Sequence, residues 1–217
     1  MGGDTPKQYL PLLGRPIIAH TLARLCNHPR ISGVIVALAA HDRWWPQISL
    51  DFATAPRVVD GGAERRDSVL NGLAGLGDHA RDDDWVLVHD AVRPCLRDGD
   101  IDRLMNTLSA DKVGGLLAIP VRDTMKRCGA DLRVRETVSR ESLWQAQTPQ
   151  MFHLGELRDA IQLSVDEDRD VTDEAQAMEL CGARPRLVEG HEDNIKITRP
   201  EDLALAEVLL NHQKEGL

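Results

Sequence analysis

The chain carries Asp90 and Arg93 three residues apart, just after the apolar run Val86-Leu87-Val88. Pro94 closes the turn. A buried strand that ends in an acid and a guanidinium is placed for a charged ligand, because ligands of open α/β sheets sit beyond the carboxyl ends of strands. An Asp there can hold a metal ion, and an Arg can hold a phosphate. Three further clusters supply matching groups. Lys7 lies in an early loop, Thr5-Pro6-Lys7-Gln8-Tyr9-Leu10. Asp60-Gly61-Gly62 leads through Glu64-Arg65-Arg66-Asp67 to Ser68-Val69, so that backbone can approach a base or phosphate at a helix start. Asp193-Asn194-Ile195-Lys196-Ile197-Thr198 is expected to be a strand with Asn194, Lys196 and Thr198 on one face.

Together these clusters offer Lys7, Arg93, Arg140 and Lys196 as cations, with Asp90 and Asp193 as metal ligands. That set suits a phosphorylated substrate and a nucleotide with Mg²⁺. No Gly-x4-Gly-Lys-Ser/Thr cradle is present, and no Gly-x-Ser-x-Gly elbow. His89 is expected to be a structural hydrogen-bonder rather than a general base.

The elements that must position these groups alternate. Short apolar runs at 33–39, 58–59, 85–88, 114–121 and 187–188 read as strands buried on both faces of a mainly parallel sheet. Helical patterns fall between them at 16–26, 65–76, 101–108, 173–180 (with Thr172 as N-cap) and 200–210. The class is α/β, with a Rossmann-like, twisted sheet flanked by helices, and the 217 residues are expected to form a single domain. The segment 123–150 breaks the alternation. Its alternating stretch 132–138 follows a turn signal at Gly129, and it is expected to form a protruding β-arm that a partner subunit covers.

Composition narrows the function. A hydrophobic fraction of 42% suffices for a core, and a net charge of −9 argues against nucleic acid or an anionic membrane as partner. No apolar run approaches the roughly 20 residues of a membrane span, and the first residues are too polar for a signal peptide. The four cysteines form no CxxC pair, as suits reduced thiols in the cytoplasm.

In order along the chain stand Lys7-Gln8-Tyr9-Leu10, Gly61-Gly62-x-x-Arg65-x-x-Ser68-Val69, Val88-His89-Asp90-Ala91-x-Arg93-Pro94, Pro120-Val121-x-Asp123-Thr124-Met125-Lys126, Thr148-Pro149-Gln150 and Asp193-Asn194-Ile195-Lys196-Ile197-Thr198-x-Pro200-Glu201-Asp202-Leu203. This series resembles the 2-C-methyl-D-erythritol 4-phosphate cytidylyltransferase family of non-mevalonate isoprenoid biosynthesis, over essentially the whole chain. The resemblance implies a homodimer joined by the β-arm, with CTP and methylerythritol phosphate as substrates and Mg²⁺ as cofactor. It implies that Lys7 contacts the CTP phosphates, that Gly62 and Ser68 lie around the cytosine, and that Asp90, Ala91 and Arg93 lie near ribose and metal. Thr124, Arg140, Lys196 and Thr198 match positions around the sugar phosphate and the reacting centre. Thr148 matches an arm position that reaches the neighbouring subunit's site. Lys7 and Lys196 are the expected catalytic residues. The family opens with an apolar strand and a Gly-rich loop, of which Met1-Gly2-Gly3 resembles only the end, so weak CTP binding is the expectation for the chain as it stands. A pentitol-phosphate cytidylyltransferase and a non-catalytic nucleotide-binding protein are the alternatives.

Overall fold

The computed structural model describes residues 5–52 and 54–215. Met1-Gly2-Gly3, with the expected loop end, lies outside the described residues. The chain opens with a short turn at 7–9 and a two-residue hairpin, β1 (Pro11–Leu12) with β2 (Arg15–Pro16). Helix α1 (Ile17–Cys26) follows directly, with Pro16 in the N-cap position outside the first turn. The main elements then alternate as β3 (Ile35–Leu38), β4 (Arg57–Asp60), α2 (Arg65–Ala74), β5 (Trp85–Val88), α3 (Asp98–Leu108) and β6 (Gly115–Pro120). The arm strands β7 (Met125–Cys128) and β8 (Val134–Val138) come next. The chain returns through β9 (Trp144–His153), α4 (Leu154–Asp166), α5 (Glu174–Leu180), β10 (Arg186–Glu189) and α6 (Glu201–Glu215).

The sheet is mixed, which corrects the expectation of a mainly parallel one. Its four-stranded part has the order β10-β6-β9-β5. β6 and β10 are parallel, but β9 runs against both β6 and β5. β9 was hidden inside the segment expected to be arm. Its inward polar residues disguise it: Gln147, Thr148 and Gln150 are all buried. Each finds at least one partner, as most buried amides and hydroxyls do, although Gln147 Oε1 has none among the described residues. Gln150 donates to Asp173 Oδ2 at 2.9 Å and accepts the Ala175 N–H at 2.7 Å, and Gln147 donates to the His191 carbonyl at 3.0 Å. The exposed arm is therefore the hairpin β7–β8 alone. Helix α4, which the sequence reading also missed, follows β9 without a loop.

Alternation along the strands divides two hydrophobic layers. Val86, Val88 and Phe152 face α4, α5 and α2, among Leu157, Ile161 and Leu73. Trp85, Leu87 and Met151 face the other way, against Leu104 and Leu108 of α3. Successive strand residues point to opposite faces, so neighbours such as Met151 and Phe152 join different layers and helices cover both sides. The parallel pair β3–β4 forms a separate piece of sheet. Helix α1 spans both pieces: Ile18 and Leu22 pack with Val34 and Val36, while Leu25 reaches the layer of Leu87.

Candidate functional site

The turn after β5 is held by three other parts of the chain. Its carboxylate, Asp90, lies 3.0 Å from Lys196 Nζ, 3.3 Å from Arg93 Nε and 3.6 Å from Arg65 Nη2. Burial opposes the Asp90 charge, but Lys196, Arg65 and Arg93 outweigh it and hold the carboxyl below its ordinary range. Arg93 also donates to the Asn194 carbonyl at 2.7 Å. The Ile197 N–H donates to the Val92 carbonyl at 2.9 Å, so the segment 194–198 is pinned along the turn. That segment is extended but is not a strand, contrary to expectation. Asn194 and Ile197 are buried and Lys196 and Thr198 are exposed, so the three polar residues do not share one face.

His89 is half-buried beneath the turn. Burial drives its pKa down to about 4, which makes it neutral at ordinary pH. One ring nitrogen meets Thr148 Oγ1 at 2.8 Å and the other the Arg93 carbonyl at 3.2 Å. It is the structural hydrogen-bonder expected. Thr148 is placed differently from the expectation. It is buried in β9, with its hydroxyl accepting the Asp90 N–H at 3.1 Å. It serves the turn of its own chain, because β9 is an inner strand of the sheet and not part of the exposed hairpin.

The N-terminal start of α2 forms the adjoining wall. Glu64 and Asp67 make reciprocal capping bonds there. Ser68 Oγ accepts the Gly62 N–H at 3.0 Å and donates to the Glu64 carbonyl at 3.1 Å. A Cβ on Gly62 would stand 2.1 Å from Asp67 Cβ, so only glycine fits. Arg65 stands in the Gly61-Gly62 motif, and the structure gives it a part in the site. It clasps buried Glu174 with bonds of 2.5 and 3.0 Å and reaches Asp90 from α2. Its signal was its position one turn from Gly61-Gly62. Ala91 accepts the Thr21 hydroxyl of α1 at 2.9 Å and packs in the layer of Tyr9, which ties the loop of Lys7 to the same region. The Lys7 ammonium is exposed and has no partner among the described residues.

Other expected residues stand apart. Thr198 and its neighbour Arg199 give their N–H groups to Asp202 Oδ2, and the Thr198 hydroxyl donates there too at 3.0 Å, which organises the entry to α6. Thr124 and Arg140 flank the arm hairpin, both exposed, and Arg140 donates to the Arg122 carbonyl. Asp193 is bound by Arg97 and by Gln213 Nε2 at 3.0 Å, and shares no partner with Asp90. It lines a cleft of about 600 Å³ with Arg97, Arg103, Arg122 and His191, none of which touches Asp90. Among the described residues no three His, Cys, Asp or Glu side chains form a metal cage. The donors fit Mg²⁺ only as that ion is bound beside phosphates, through one or two carboxylates with waters and substrate oxygens completing the shell. Asp90 offers one such carboxylate; Asp193 lies apart from it, with Oδ2 bound by Arg97 and Gln213 and Oδ1 buried without a partner among the described residues.

A helix-flanked mixed sheet whose strand-end carboxylate is ringed by cations, beside a glycine turn, defines an α/β protein with a charged site at the end of a strand. The sequence model described as "IspD: 2-C-methyl-D-erythritol 4-phosphate cytidylyltransferase" matches residues 1–212, and the chain belongs to that family. The enzyme of that name from Pseudomonas fluorescens strain Pf-5 is 52% identical over 204 residues, covering 94% of this chain and 87% of the relative. The one from Azoarcus sp. strain BH72 is 51% identical over 216 residues, covering 98% and 89%. A crystal structure of 4-diphosphocytidyl-2C-methyl-D-erythritol synthase superposes with a TM-score of 0.86 at 36% identity, over 94% of this chain and 95% of that one. The Francisella tularensis enzyme superposes at 0.85 and 35% identity, over 95% and 94%.

Proposed function

We propose that this chain joins CTP to 2-C-methyl-D-erythritol 4-phosphate, giving 4-diphosphocytidyl-2-C-methyl-D-erythritol and pyrophosphate in non-mevalonate isoprenoid biosynthesis. Family membership supports the substrates. The observation that carries the site is the carboxylate of Asp90 held among Lys196, Arg93 and Arg65 at the end of β5.

The nucleophile is a phosphate monoester with a second pKa of about 6, already ionised at neutral pH. It attacks the α-phosphorus of CTP in line and pyrophosphate leaves. No general base is required, and His89 is not one, since both its nitrogens are engaged beneath the turn. Catalysis then consists of bringing two anions together and neutralising the charge that builds on the phosphoryl oxygens. Lys196 has 40% of its side chain exposed and reaches over the turn to those oxygens. Lys7 binds the outer phosphates from its loop. Gly62 and Ser68 accept the cytosine, and Asp90, Ala91 and Arg93 form the wall by the ribose. When bound, Mg²⁺ supplies further neutralisation of the phosphates, and Asp90 is the residue that would hold it.

The hairpin β7–β8 exposes Leu132 at 84% and Val134 at 61%, too much apolar surface on a thin arm to leave in water. A second copy of the chain covers it, and Thr124 and Arg140 meet the sugar phosphate from its base. Two buried and two exposed thiols, all unpaired, suit a reducing cytoplasm. No helix among the described residues is long and apolar enough to cross a membrane.

Pyrophosphate release from CTP and Mg²⁺ tests the activity against a panel of sugar phosphates. Release with methylerythritol phosphate and not with pentitol phosphates is expected. The opposite preference would overturn the substrate, and silence across the panel would overturn the enzyme. Sedimentation of Val134→Asp tests the arm, with a shift toward monomer as the expected result.

A further inference from the structure

We propose that a closed ring of hydrogen bonds through His89, Thr148, Asn194 and Arg93 sets the position of Asp90 and Lys196, which makes His89 and Asn194 positioning residues for nucleotidyl transfer. The proposal rests on the reading of Asp90 and Lys196 as the reacting site.

The ring can be followed atom by atom. The Asp90 N–H donates to Thr148 Oγ1 at 3.1 Å. That oxygen meets His89 Nδ1 at 2.8 Å, and His89 Nε2 meets the Arg93 carbonyl at 3.2 Å. Arg93 Nη1 donates to the Asn194 carbonyl at 2.7 Å, and Asn194 Nδ2 donates to the Thr148 carbonyl at 2.8 Å. The circuit therefore closes on Thr148. It joins three separate segments: the turn after β5, the inner strand β9 and the extended stretch that carries Lys196. Thr148 and Asn194 are 4% and 0% exposed, so water does not compete for these bonds.

The chemistry of the donors fixes the protons. Thr148 has one hydroxyl hydrogen, and its oxygen already accepts from Asp90. The hydrogen goes to the lone pair on His89 Nδ1, which leaves His89 Nε2–H to donate to the Arg93 carbonyl. The reverse tautomer would face a nitrogen lone pair with a carbonyl oxygen. A single neutral tautomer thus satisfies both His89 and Thr148; Asn194 Oδ1 is left without a partner among the described residues, but the bonds that do close the ring are shielded and hold one geometry. Asn194 transmits that geometry two residues along the chain to Lys196, whose ammonium closes on Asp90 at 3.0 Å.

The test uses Thr148→Val and Asn194→Leu, which keep shape and delete one hydroxyl and one amide. Both should lower kcat at least tenfold while the KM for CTP moves less than threefold, and Thr148→Ser should restore kcat to within threefold of the parent. Thermal melting of each variant shows whether it has folded. Nitrogen NMR of His89 in the unaltered protein gives a second reading that does not depend on variants, with the Nε2–H tautomer expected at pH 7.5. An Nδ1–H tautomer, or equal kcat in Thr148→Val and Thr148→Ser, overturns the ring. Asp90→Asn separates the two levels. Lost turnover there beside intact turnover in folded Thr148→Val overturns the ring alone, whereas undiminished turnover in Asp90→Asn overturns the site and the ring with it.

Discussion

The two halves of the site are built by opposite means. Around Asp90 every charged group is already paired: Lys196, Arg93 and Arg65 converge on one carboxylate, and Arg93 also binds the Asn194 carbonyl. Around Lys7 and Gly62 the groups are exposed, and the Lys7 ammonium has no partner among the described residues. The buried half is organised before substrate arrives, which is what transition-state stabilisation requires, since donors that need not reorganise act at full strength. The open half is suited to catching a polyanion, where reach and exposed charge matter more than fixed geometry. Damage to the first half should therefore appear in turnover or fold, and damage to the second in substrate affinity.

The largest effect should come from Lys196→Ala. Removing a charge from the preorganised half should lower kcat about 100-fold or more, with little change in melting temperature because the ammonium is exposed. Steady-state kinetics beside a thermal melt decides this, and turnover within tenfold of the parent would break the contrast.

Acid comes next. The folded protein holds His89 neutral with a pKa of about 4, against 6.5 for a free histidine. Below 6.5 the unfolded chain takes up this proton first, so the stabilising contribution is complete above pH 6.5 and is lost as pH falls toward 4. The drop is roughly 3 kcal/mol across that window, at 1.36 kcal/mol per unit. Denaturant titrations from pH 7 to 4 should show it, and a His89→Gln protein should show a shallower slope.

Gly62→Ala sharpens the comparison within the open half, where backbone rather than charge is at stake. The added methyl meets Asp67 Cβ at 2.1 Å, so the turn into α2 must shift. A cost of about 1–3 kcal/mol is expected from forced overpacking, read as a lower melting temperature with a raised KM for CTP. The smallest effect belongs to Lys7→Ala. Its KM for CTP should rise about tenfold with kcat nearly intact, and the deficit should shrink as salt is raised, because an exposed charge is screened. A kcat defect as large as that of Lys196→Ala would erase the distinction between the halves.

Much of this was legible without coordinates. The run 85–88 needed only its apolar composition to be read as a strand, and it is one over those residues. Ile17, Ile18 and Leu22 marked the buried face of α1. Part of the site was legible as well: Asp90, Arg93 and Lys196 stand out in the sequence and do converge, whereas Arg65 is marked only by its place near Gly61-Gly62 and Asp193 and Arg140 lie apart. The reading failed where polar residues are buried. Gln147, Thr148 and Gln150 looked like arm and turned out to lie in an inner strand of the sheet. In the same way Asn194 was expected to share one strand face with Lys196 and Thr198, and it is 0% exposed while they are exposed.

The sequence by itself determined the alternating α/β order and the family. Composition, period and motif are local properties, and each is written in a few adjacent residues. The tertiary structure decided the direction of β9, the separation of Asp193 from Asp90 and the use of Thr148 within its own chain. These depend on which distant groups satisfy a buried polar atom. Thr148 lies 58 positions from Asp90 and Asn194 lies 101 from Arg93, and no local pattern records a hydrogen bond closed across that distance.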